Sequence, residues 1–124
     1  MENELFTVQG SVSGTGDYTL DSDLLQATVT YIRIPRGLKA KIWTKRIAGE
    51  AADVAIRFTP DVTAPSPTWK NLDVQKLASA GEISLEKRRP IVIHGFTGNE
   101  AFKITRLTGT GNSYITLEVE ISEE

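Results

Sequence analysis

Apolar and polar residues alternate with a period of two in three long stretches of the chain. Leu38, Ala40 and Ile42 alternate with Lys39, Lys41 and Trp43. Val54, Ile56 and Phe58 alternate with Asp53, Ala55 and Arg57, and Ile115, Leu117, Val119 and Ile121 with Tyr114, Thr116, Glu118 and Glu120. Successive side chains on a strand point to opposite faces, so the pattern predicts strands with one dry and one wet face. Such a sheet must bury its apolar face against a second layer. The inward positions make Ile42, Ile56, Phe58, Phe102, Ile104, Leu117 and Val119 the expected core. Shorter runs at 5–12, 69–74, 83–85, 91–96 and 102–107 predict further strands. Leu25, Ala27, Val29 and Tyr31 share one face, whereas Ile32 and Ile34 fall on the other. That switch predicts a bulge, or a strand end that passes between sheets.

Turn chemistry separates the runs. Gly10 to Asp17, with three glycines and two serines, reads as a flexible loop. Pro35-Arg36-Gly37 reads as a tight turn, with proline presetting φ and glycine open to positive φ. Pro60, Pro65 and Pro67 make 59–68 an extended connection. Thr97–Glu100 and Thr108–Asn112 divide the last strands. Val74, Leu77 and Ala78 sit at helical spacing, which predicts one helical turn over 74–79. About eight strands at this spacing predict a sandwich or a small barrel. The expectation is an all-β, antiparallel β-sandwich of jelly-roll type, although strand order is not encoded in periodicity. The whole of 1–124 reads as one domain, with 1–16 as an N-terminal arm.

Composition narrows the function more than the fold. Hydrophobic residues make up 40% and charged residues 24%, an ordinary globular balance. Cysteine is absent, which excludes disulfides, thiolate nucleophiles and Cys-type zinc sites. Met1-Glu2-Asn3-Glu4 offers no apolar leader, and no apolar run approaches the roughly 18 residues of a membrane-spanning helix. Net charge is −2, but it is segregated. Glu2, Glu4, Asp17, Asp21 and Asp23 precede any base, and Arg33, Arg36, Lys39, Lys41, Lys45 and Arg46 follow without an acid. Either a strand pair carries opposite charges across one sheet, or an acidic face meets a basic face of a neighbouring subunit.

Catalytic patterns are missing. His94 stands between Ile93 and Gly95, with no nucleophile or carboxylate beside it. Gly14-Thr15-Gly16 and Gly109-Thr110-Gly111 lack the following helix that cradles phosphate, and read as loop tips. Glu118 and Glu120 share a strand face that reads as solvated surface rather than a glycosidase pair. Asp53, Asp61 and Asp73 lack the dense spacing of a calcium loop. Lys87-Arg88-Arg89 reads as a solvated turn. No enzyme activity and no cofactor or metal is expected.

Lys39, Lys41, Trp43 and Lys45 project from one strand face. Trp43 there suits a protein interface, a stacked sugar, single-stranded nucleic acid, or plain cover by lysine stems. The negative net charge counts against nucleic acid. The candidate binding residues are Trp43, Lys41 and Lys45, with Trp69 as a second exposed ring and Phe6 as a hydrophobic anchor on the first strand.

The segment Ile56-Arg57-Phe58-Thr59-Pro60-Asp61, followed by Thr68-Trp69-Lys70-Asn71-Leu72, resembles β-sandwich binding modules of the discoidin-like and carbohydrate-binding kind. It departs from them by inserting 62–67 where their turn is short. Phe102–Arg106, the Gly/Thr-rich turn Thr108–Asn112 and Ile115–Val119 together resemble the last hairpin of small virion proteins of phages and viruses, including capsid decoration proteins. This resemblance implies a non-enzymatic structural protein of a virus particle, located in the virion. It would act as a homo-oligomer, a trimer favoured, that docks on capsid protein. The alternative expectation is a carbohydrate-binding sandwich module using an exposed tryptophan.

Overall fold

The computed structural model of the chain describes residues 3–21, 28–49, 52–77 and 89–123. Its strands are β1 (Glu4–Ser13), β2 (Gly16–Asp17), β3 (Thr19–Asp21), β4 (Ile32–Arg33), β5 (Leu38–Gly49), β6 (Ala52–Thr59), β7 (Lys70–Leu77), β8 (Ile91–His94), β9 (Ala101–Arg106) and β10 (Asn112–Glu123). They form two antiparallel sheets packed together, and no helix is present among the described residues. The first sheet runs β3-β1-β10-β5-β8; the second runs β2-β9-β6-β7, with β4 also paired to β9.

The period-two reading accounts for what lies between the sheets. Val8, Ile42, Ile93, Ile115, Leu117 and Val119 of the first sheet are buried against Ile32, Val54, Ile56, Phe102 and Ile104 of the second. Each such side chain contributes about 1.5–3 kcal/mol relative to exposure. Tyr18 completes the core; its hydroxyl lies 2.5 Å from Ser113 Oγ. Burial pushes the Tyr18 phenol up, against the Ser113 hydrogen bond and the Arg106 charge that pull it down.

The switch of parity near Tyr31 is a change of sheet. Val29 bridges to Leu20 beside the first sheet, and Ile32 pairs with Phe102 in the second. Leu25 and Ala27, and the expected strand at 83–85, lie outside the described residues. Pro35–Gly37 is the expected turn: Leu38 N–H donates to Pro35 O at 3.2 Å, and Gly37 has a φ of +79°. Gly95 packs on this turn so closely that an added Cβ would clash with Pro35 O.

Four expectations are corrected. Phe58 is only half-buried, packed against the margin of the core, because it lines an open cleft beside Leu72 of β7 and Val92 of β8. Val74–Leu77 is not a helical turn but the second half of β7, held extended by pairing with β6. Gly10 to Ser13 is not loop but strand. Gly10 faces the core, where a Cβ would meet Ile115 Cγ1 at 3.0 Å, so glycine there serves close approach rather than flexibility. β1, the segment read as an arm, pairs with β10 continuously from Glu4↔Ile121 to Ser13↔Asn112.

The segregated charges do not face one another directly. β10 lies between β1 and β5, and Lys41 of β5 is opposite Glu120 of β10, with Nζ 3.9 Å from Oε1. Among the described residues, no helix is long and apolar enough to cross a membrane.

Candidate binding surfaces

The sites expected from sequence lie apart. Trp43 is half-buried on the outward face of the first sheet, opposite Glu118 of β10, with Lys41 on the same face. The side chain of Lys45 lies outside the described residues. Phe6 turns inward and packs against the core, so it is cover for the sandwich rather than an exposed anchor. Glu118, expected to be solvated, is buried on the outward face and accepts a hydrogen bond from Thr7 Oγ1 at 3.1 Å. Asp53, Asp61 and Asp73 do not converge, and no group of three or more metal-ligating side chains occurs among the described residues. Asp61 instead closes its own turn. Hydrogen bonds from the Thr63 hydroxyl and N–H hold its carboxyl below the usual value.

Trp69 meets a partner that the sequence did not single out. Trp69 stands one residue before β7 and Tyr31 one residue before β4, at opposite edges of the second sheet. Their ring centroids are 6.3 Å apart with planes tilted by 47°. By register Trp69 extends the row of Thr59, Ala101 and Arg33, in which Thr59 and Ala101 are small and buried, whereas Tyr31 extends the next row, of Lys103 and Arg57, so the two rings meet on a diagonal. Lys103 rises from β9 to bring Nζ 4.4 Å from the Trp69 ring centre. The same Nζ pairs with Asp17 Oδ2 at 3.0 Å, and Asp17 Oδ1 accepts from Thr105 Oγ1 at 2.8 Å. This chain of contacts fixes the Lys103 ammonium and leaves Tyr31 41% exposed. Beside Tyr31 lies an open depression of about 570 Å³, lined also by Thr19, Thr28, Thr30 and Arg33. The missed signal is parity: Tyr31 and Arg33 fall on the outward face once the chain has changed sheets.

A second surface opens where the sandwich is unclosed. β7 and β8 are the edge strands of the two sheets on one side, and no described strand pairs beyond them. Between them lies a cleft of about 230 Å³ lined by Phe58, Leu72, Val92, Ile93, His94 and Phe96, with Pro60 and Glu100 at its margin. Phe96 is 70% exposed, and Leu72, Val74 and Val92 are each more than two-fifths exposed. His94 stacks on Phe96 with centroids 5.5 Å apart, so the one histidine belongs to an apolar strip. Both Glu100 oxygens are engaged by Thr97, and Gly98 N–H donates to Oε1. Burial pushes its carboxyl up, but hydrogen bonds from its own backbone, Thr97 and Gly98 outweigh that and hold it below the usual value.

At one end of the sandwich the two glycine-rich tips are tied together. Gly14 N–H donates to Gly111 O at 3.2 Å, and Arg106 Nη1 donates to both Gly14 O and Gly111 O. Arg106 is 1% exposed and occupies the inward parity of Phe102 and Ile104, a position at which period two alone would have placed it. Comparison of the chain with protein families, curated proteins and solved structures gives no match, so the functional reading rests on its own residues.

Proposed function

We propose that this chain is a non-enzymatic structural subunit that works through protein–protein contact, of the kind that decorates or cements a virus particle. The observation that carries the reading is the apolar strip along β7 and β8. Soluble proteins usually cover or charge such edges, because unpaired strands invite another strand and exposed apolar patches mark contact sites. A second copy of the chain is the occupant we assign to it. Two identical edges are self-complementary about a two-fold axis, and main-chain bonds plus Phe96 and Leu72 would supply the hold.

The strand order supports reading the sandwich as a jelly roll. With β2 and β4 taken as two parts of one strand, the chain pairs as nested couples: β1 with β10, β2/β4 with β9, β5 with β8, and β6 with β7. Jelly rolls occur in viral capsid domains, but also in lectins and cupins, so the fold alone does not choose a function. The virion setting rests on the resemblance of the last hairpin. The absence of catalysis rests on His94 being stacked on Phe96 and on both Glu100 oxygens being engaged in a turn.

Light scattering of the chain over a range of concentrations tests the reading. A concentration-dependent oligomer that Phe96→Asp converts to a folded monomer is the expected result. A wild-type chain that stays monomeric at high micromolar concentration overturns self-assembly through this strip.

A further inference from the structure

We infer that the outward face of the second sheet carries a glycan-binding site built on Tyr31 and Trp69, with a pyranose ring as its ligand. The inference is independent of the assembly reading, because it concerns a different face of the sandwich. Its starting point is the ordering of the aromatic pair. Two rings from opposite edges of a sheet meet at 6.3 Å, and their 47° tilt makes an open angle rather than a closed stack. The Lys103 side chain is only 14% exposed, and its ammonium is held by Asp17 and by the Trp69 ring. The Lys103 ammonium covers one face of the indole, and Tyr31 beside it stays exposed to a ligand.

The second observation is the chemistry of the adjoining depression. Thr19, Thr28 and Thr30 bring hydroxyl groups, and Arg33 brings a guanidinium already oriented by Gly98 O at 2.5 Å and Asn99 Oδ1 at 2.6 Å. A pyranose ring presents apolar C–H groups on one face and hydroxyls around its rim. An exposed aromatic ring beside fixed donors and acceptors matches both parts at once. Little ordering remains to be done on binding, since Lys103, Asp17 and Arg33 are already held by their partners. A nucleobase could stack on the same rings, but a strand of phosphates would need a basic track. The site instead holds Asp17, with Asp61 close enough to feel the Arg33 charge, in a chain of net charge −2.

The chain has two tryptophans, so a Trp43→Phe variant leaves Trp69 as the only indole. That variant should be screened on an array of neutral and acidic glycans, and the best binder titrated by Trp69 fluorescence. We expect saturable quenching or a blue shift, and a loss of affinity of about tenfold on Tyr31→Ala. Tyr31 is exposed enough for that change to leave the fold intact, which circular dichroism checks. Arg33→Gln should weaken binding in the same direction. An array with no binder in either the neutral or the acidic set overturns the inference. So does a glycan whose affinity is unchanged by Tyr31→Ala. Tight binding of a thymidine decamer through the same residues, without glycan binding, would replace the ligand class by single-stranded nucleic acid.

Discussion

Arg106 is the largest of the fully buried side chains among the described residues, and it is a cationic residue type. Its neighbours in parity, Phe102 and Ile104, are core residues, so its guanidinium is carried inward with them and must be satisfied there. Gly14 O and Gly111 O accept from it, which joins two loop tips that are remote in sequence. Arg106→Met should therefore cost about 1–3 kcal/mol in urea denaturation, with faster amide exchange at 14–16 and 109–111. A gain in stability would mean that the expense of burying the charge exceeds the worth of those bonds. Glu100 makes a different prediction. Its carboxyl is held below the usual value, near 4.5, by hydrogen bonds that burial does not cancel. A group whose folded value is depressed contributes stability that is present above the ordinary value and lost as pH falls through the folded one. Melting temperatures of the wild type and Glu100→Gln should therefore differ near neutral pH and converge well below pH 4.5. A gap that persists unchanged in acid would assign the effect to packing.

At the scale of the element, the alternation in β5, β6 and β10 was legible because each strand has one face against the opposite sheet. Tertiary pairing supplied what periodicity could not. Val74–Leu77 has helical spacing, yet the open edge of β6 offers it a ladder, and long-range pairing overrides the local pattern. Gly10 looks like a loop residue until the crowding by Ile115 and Leu20 is known. Tyr31 became visible as a site residue only when Trp69 arrived from the far edge of the sheet, a contact that no window of sequence contains. The half-burial of Phe58 has a measurable consequence. Ile104, wholly enclosed, should cost about 2–5 kcal/mol as Ile104→Ala, and Phe58→Ala should cost less than the roughly 3–5 kcal/mol of an enclosed ring. The reverse order in denaturant midpoints would contradict the assignment of faces. Removal of residues 1–10 takes away most of an interior strand, including Val8. It should abolish cooperative unfolding rather than release a dispensable arm, as thermal circular dichroism would record.

For the molecule as a whole, nested pairing places the first and last strands side by side. Contacts between residues so distant in the chain must form late and together, so folding in milliseconds to seconds is expected rather than in microseconds. The register Glu4↔Ile121 has a further consequence. The beginning of β1 and the end of β10 leave the sandwich at one corner, within reach of a short peptide bridge. The order of the strands along the backbone is therefore not essential to their arrangement in space. A chain joined across that corner by a few glycines and serines, and cut open between Thr63 and Ser66 in the exposed connection after β6, would thread the same couples from a new starting point. Such a circular permutant should keep the β spectrum of the parent and lose only about 1–2 kcal/mol. Its two new ends would emerge beside the β6–β7 connection, which moves any fused passenger from one end of the sandwich to another.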